Sequence, residues 1–219
     1  MIAFRKTLAR LMVSPAPKRA TRMPAVLSVM TPDFLRQWQF CIDSQHHYCA
    51  KYNFEHRVVD VSGSPLNPSW AKVELVIGLL EQGNDVLSID ADAEIASNCP
   101  PFIDILNASP QCDIFYVLGI SHRPNAGMLM LRGGPQSIAL AFLKECVARK
   151  HERVPPEDFV DPDSENGHVI RLLKKEPYKS ASKEIERVWN WSIPEHAENA
   201  FIRLYTNYLR DSFLASRLP

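Results

Sequence analysis

The sequence predicts an α/β domain, a mainly parallel sheet flanked by helices, over residues 24–219 behind a basic arm at residues 1–23. Three observations predict it. From residue 24 to residue 90, apolar runs and amphipathic runs alternate as strand–helix–strand–helix–strand, the pattern of a parallel sheet covered by helices. The last of those strands runs straight into three acids, Asp90, Asp92 and Glu94. Open α/β sheets bind ligands beyond the carboxyl ends of their strands, so the cluster falls where a site belongs. The third observation is bulk: 219 residues, 46% hydrophobic and 23% charged, suit one globular domain with a substantial core.

The elements follow in chain order. MIAFRKTLARLMVSPAPKRATR is basic and lacks the apolar run of a secretory signal. Pro15 and Pro17 end any helix early, so a flexible arm is expected, with contact to an anionic membrane surface as the alternative. PAVLSVM (24–30) reads as a buried strand. Thr31 or Asp33 then caps a helix whose apolar face carries Phe34, Trp38, Cys41 and Ile42. HRVVDVS (56–62) is the second strand and GSPLNPS a loop. SWAKVELVIGLLEQGND is the clearest helix, with Ser69 as the expected N-cap and Gly83-Asn84 closing it. VLSI (86–89) is the third strand. CDIFYVLG (112–119) and AGMLMLRGG (126–134) read as strands, SIALAFLKECVARK as a helix, 151–168 as a long loop, and HVIRLLKK as a short helix.

Lys plus Arg equal Asp plus Glu, so the formal net charge is zero, which argues against a general nucleic-acid binder. Cys41, Cys49, Cys99, Cys112 and Cys146 contain no C-x-x-C pair and read as buried thiols of a cytoplasmic protein. Nothing in the sequence bears on oligomeric state.

Three carboxylates at one strand end repel unless a positive charge joins them. The cluster is therefore a divalent-metal site, a catalytic aspartate pair, or a polar turn. Mg²⁺ and Mn²⁺ take oxygen ligands and share phosphate oxygens with a substrate. A metal bridging two phosphates neutralises a diphosphate leaving group.

SWAKVELVIGLLEQGNDVLSIDADAEI resembles the core of GT-A-type glycosyltransferases. It is most like the galactosyl/xylosyltransferase group that includes the yeast α-mannan galactosyltransferases, and more distantly like glycogenin-like enzymes. AVLSVMT, HHYCAKYNFEHRVVD and PNAGMLMLRGGPQSIALAFL resemble further elements of that group, and the likeness covers roughly residues 24–145. It implies a GT-A-like fold and a metal-dependent transfer of a sugar, with retention of configuration, from a nucleoside-diphosphate sugar, expected to be UDP-linked, to a glycan or other hydroxyl acceptor.

Residue by residue, the resemblance implies that Asp92 binds Mn²⁺ or Mg²⁺ and that Asp90 contacts ribose and metal. Ala91 belongs with them in the donor site. Lys72 reaches the diphosphate or sugar. Val29, Met30 and Thr31 line the base and ribose, and Asn125, Ala126 and Gly127 border the donor sugar. The group's acidic-Gln pair has its nearest match in Glu165-Asn166, with Glu165 facing the reacting carbon. A late His ligand is also implied. The comparable stretch FIRLYTNY has Leu204 there, so His196 is the expected ligand, with His168 as the alternative.

Two other readings stay open. Haloacid-dehalogenase-type phosphatases use strand-D-x-D, the first Asp as nucleophile, though Glu94 replaces their Thr/Val. A domain that binds a nucleotide sugar or glycan without turnover needs the same acids.

Overall fold

The computed structural model describes residues 23–161 and 163–216; of the basic arm it includes only Met23. Its main sheet has six strands in the order β2-β1-β3-β6-β5-β7. These are β1 (Ala25–Met30), β2 (Glu55–Asp60), β3 (Val86–Ile89), β5 (Ile114–Leu118), β6 (Pro124–Leu131) and β7 (Ser182–Glu184). β2, β1 and β3 run parallel, as do β5 and β7. β6 is antiparallel to both β3 and β5, so it alone runs against the sheet. The expected alternation holds up to β3. β5 and β6 are joined by a tight reversal rather than a crossover helix, and such a connection makes an antiparallel pair.

β1 and β3 are buried on both faces, as central parallel strands must be. On one side α2 (Pro68–Glu81) and α4 (Ile138–Ala148) cover the sheet, with α5 (Asn166–Leu173) beside them. On the other lie α1 (Pro32–Tyr52) and α3 (Phe102–Asn107). α1 starts where the sequence places it: Thr31 Oγ1 accepts from the Phe34 amide. α2 starts earlier than expected, because Asn67, not Ser69, is its N-cap. Asn67 Oδ1 accepts from the Ser69 amide at 3.0 Å, and Pro68, with no N–H to satisfy, takes the first helical position. α5 likewise begins at Asn166 rather than at His168.

A second, two-stranded antiparallel sheet pairs β4 (Ala93–Ile95) with β8 (Ile202–Leu204). Ala93 faces Leu204 and Glu94 faces Arg203. The chain after β8 forms α6 (Asn207–Ala215). β4, β7, β8, α3 and α6 have no strong periodic signal, since each is short and owes its form to the partner it packs on. All five cysteines are buried and free. Burial pushes Cys49 and Cys99 up to about 12, so they behave as small hydrophobes. No helix among the described residues is long and apolar enough to cross a membrane.

Candidate donor site

Because β1 and β3 are parallel neighbours, their carboxyl ends open on the same edge. β1 delivers Val29 and Met30, followed by Thr31. β3 delivers Asp90, Ala91 and Asp92. The first turn of α2 delivers Pro68, Ser69 and Lys72. Together these line one cavity of about 300 Å³. The residues named for the base, ribose and diphosphate thus share a single cavity.

Lys72 is the hub of this corner. It is only 4% exposed, yet its Nζ lies 2.5 Å from Asp90 Oδ1, 3.2 Å from the Ala126 carbonyl and 3.6 Å from Glu165 Oε1. Burial by itself lowers a lysine's pKa. Here the charges of Asp90 and then Glu165 outweigh it and hold the ammonium above its ordinary value. Glu165, itself buried, therefore stands beside the donor corner although its sequence match was inexact. Asn166 next to it accepts the Ala126 N–H on Oδ1 at 2.9 Å. Asn125 Oδ1 accepts the Gly127 N–H at 2.7 Å, fixing the start of β6. At Gly127 a Cβ would stand 2.7 Å from Asp90 Oδ2 and 3.0 Å from Leu204 Cδ2, so only glycine leaves Asp90 its place.

Asp92 is 5% exposed. Its burial, and then the charge of Asp90, push its pKa up to about 6, against the downward pull of Arg210. Arg210 of α6 donates from Nη2 to Asp92 Oδ2 at 2.9 Å and from Nε to the Tyr205 carbonyl. Each acid of the pair thus has its own protein cation. Glu94 faces elsewhere, bonded to Arg203 at 3.0 Å and to the Tyr205 hydroxyl at 2.7 Å.

The expected third metal ligand is not brought to the acids. His196 is exposed, its ring 3.8 Å from Glu198, and it is not part of the cavity lining. His168 is packed against Trp70, ring centroids 5.4 Å apart. Leu204, where the late His was sought, is buried against Gly127 beside Asp90. Among the described residues no group of three or more His, Cys, Asp or Glu could hold a metal. The donor set on offer is two carboxylates. That suits Mg²⁺ or Mn²⁺, which bind through one or two carboxylates plus substrate phosphates and water. The charge of Asp90, which adds to burial in raising Asp92, is a charge excess such a cation relieves.

Sequence reasoning missed two residues of this corner. Arg210 follows no motif. Gln45 had a signal: it is a polar residue on the apolar face of α1, between Ile42 and Cys49. It is 0% exposed, accepts from Ser28 Oγ at 2.8 Å and donates to the carbonyls of Ala93 at 2.9 Å and Asp90 at 3.3 Å. It ties the loop of acids to β1 and α1.

His56 of β2 lies 3.5 Å from Gln45 Oε1. Burial, then His46, lowers its pKa from 6.5 to about 4. Between those values the unfolded chain binds a proton that the folded chain refuses, so stability is lost as pH falls through that window. Urea midpoints should decline from pH 6.5 towards pH 4, and His56→Gln should flatten the decline. An unchanged decline in the variant assigns it to other groups.

The geometry and sheet order define the class of fold, and solved structures agree. A glycosyltransferase involved in glycosylating the major capsid of PBCV-1 superposes with a TM-score of 0.65 at 13% identity, covering 90% of this chain and all of that one. Glycosyltransferase GlyE of Streptococcus pneumoniae TIGR4 gives 0.58 at 11% identity, over 84% of this chain and 55% of GlyE. The galactosyltransferase LgtC, solved with donor and acceptor sugar analogs, gives 0.52 at 11%, over 84% and 87%. No protein-family model and no curated protein sequence matches the chain. The chain has the fold of the GT-A-type glycosyltransferases.

Proposed function

We propose that the protein transfers a sugar from a nucleoside-diphosphate sugar, UDP-linked, to a hydroxyl of a glycan or other acceptor. The observation that carries this reading is the single cavity in which Val29, Met30 and Thr31 face Lys72, Asp90 and Asp92. The apolar strand end suits a base and ribose, and the Lys72 ammonium suits a diphosphate. A divalent metal held by Asp90 and Asp92 would supply Lewis-acid neutralisation of the departing diphosphate. Lys72 donates to Asp90 and presents positive charge to the leaving group. Glu165, held near Lys72, is the carboxylate assigned to the reacting carbon.

A dehalogenase-type phosphatase finds no support in this fold, and Glu94 is committed to Arg203 and Tyr205. A binder without turnover is favoured by one observation, the Arg210–Asp92 pair, which competes with a metal.

Both questions meet in one experiment. Thermal shift with UDP-, GDP- and ADP-sugars, with and without Mn²⁺, should show stabilisation by the UDP-sugar, strongest with Mn²⁺. Asp92→Ala and Asp92→Asn should each lower Mn²⁺-dependent turnover of that donor by about 100-fold or more, with an unchanged circular dichroism spectrum. Full turnover in both variants would remove Asp92 from the site. Donor binding without any hydrolysis or transfer would leave a binder.

A further inference from the structure

A second cavity, of about 560 Å³, opens between the β5–β6 turn, the 160 region and the first turns of α6. This is within the roughly 300–1,000 Å³ of small-ligand sites. It touches the donor corner through single peptide steps. Asn125 lines it, and the next residue, Ala126, gives its carbonyl to Lys72. Asn166 lines it, and the preceding Glu165 lies 3.6 Å from Lys72. α6 reaches both places, since Arg210 pairs with Asp92 while Tyr208 and Asp211 line the groove.

We infer that this groove is the acceptor subsite and that it takes a neutral pyranose ring of a glycan, stacked on Tyr208; this rests on the glycosyl-transfer reading. Its chemistry points to a sugar. Tyr208 is 64% exposed, unusual for a large aromatic side chain, and Val160 on the lining is 44% exposed. Tyr208 and Asp211 are three residues apart on α6, so they share a face. A pyranose has an apolar C–H face, which suits an aromatic ring, and a rim of hydroxyls, which suit a carboxylate and carboxamides. A phosphorylated ligand fits poorly. The cation on the lining, Arg123, has its Nη1 committed to the carbonyls of Glu157 and Phe159, and Asp211 adds negative charge.

Two tryptophans are not free to stack a sugar in the same way: Trp189 is a core residue against Phe201, and Trp191 is stacked under Arg187.

The test is saturation-transfer NMR on the full-length protein with methyl glycosides of galactose, glucose, mannose and xylose, with and without UDP. At least one glycoside should give ring-proton signals that survive saturating UDP. Tyr208→Ala should weaken its binding roughly tenfold, Tyr208→Trp should retain it, and UDP affinity should be unchanged in both. Silence from every glycoside, displacement by UDP, or undiminished binding to Tyr208→Ala overturns the groove assignment. UDP that fails to bind wild type overturns the donor reading instead, so the two failures are told apart.

Discussion

Lys72→Met should cost the protein about 3–5 kcal/mol and abolish donor binding, the largest loss expected from a single side chain in this site. The reason is local. Met matches the lysine's aliphatic stem, so packing is kept, but the ammonium that joins Asp90, Glu165 and the Ala126 carbonyl is gone. Glu165 then stays buried at 5% exposure without its cation, and Asp90 loses its cation beside Asp92. Urea unfolding reads the first effect and UDP calorimetry the second. A variant as stable as wild type would mean that Lys72 is a bystander. Lys72→Arg keeps the charge but not the shape, since a planar fork replaces a compact ammonium. It should recover part of the stability and little of the donor affinity.

Gly133→Ala should yield no stably folded protein. A Cβ at Gly133 would stand 1.9 Å from the Asn84 carbonyl oxygen and 2.9 Å from its nitrogen. These are backbone atoms and cannot swing aside. The junction is also held from several directions: the Gly133 amide donates to Asp85 Oδ1, Gly134 N donates to Leu80 O, and Asn84 Nδ2 donates to Met23 O. Moving Gly133 therefore moves the end of α2 and the entry to β3 together. A loss of more than about 4 kcal/mol is expected, beyond the usual range for a point change. Gly78→Ala is the control. It is a helical glycine with nothing within 4 Å of its added methyl, and should gain about 0.5–1 kcal/mol. Soluble yield and thermal melting of the pair decide it. A well-folded Gly133→Ala would mean that the α2–β3 junction yields readily.

The two halves of the site were not equally legible. The half built from Thr31, Lys72, Asp90 and Asp92 was plain because these residues sit at the ends of strong periodic elements: Thr31 after β1, Lys72 in the first turn of α2, Asp90 and Asp92 after β3. Period and capping chemistry locate such ends within a residue or two, which is why the α2 cap moved only from Ser69 to Asn67. The late half was opaque. β8 is three residues long and becomes a strand only by pairing with β4. α6 carries Arg210 on no motif, and α5 begins after a loop that says nothing about where Glu165 will stand. Leu204, in the stretch comparable to the late-His strand end, is apolar and buried beside Asp90.

By itself, then, the sequence determined the alternation of strands and helices up to β3 and the strand edge at which the acids and lysine stand. These are local matters, written in spacing, caps and strand ends. Only the tertiary structure decided which charges meet. Arg210 reaches Asp92 across more than a hundred residues of chain, Glu165 reaches Lys72, and Glu94 is drawn away to Arg203. Such pairings are set by how separate elements pack, and the residues beside each partner in the chain carry no trace of them.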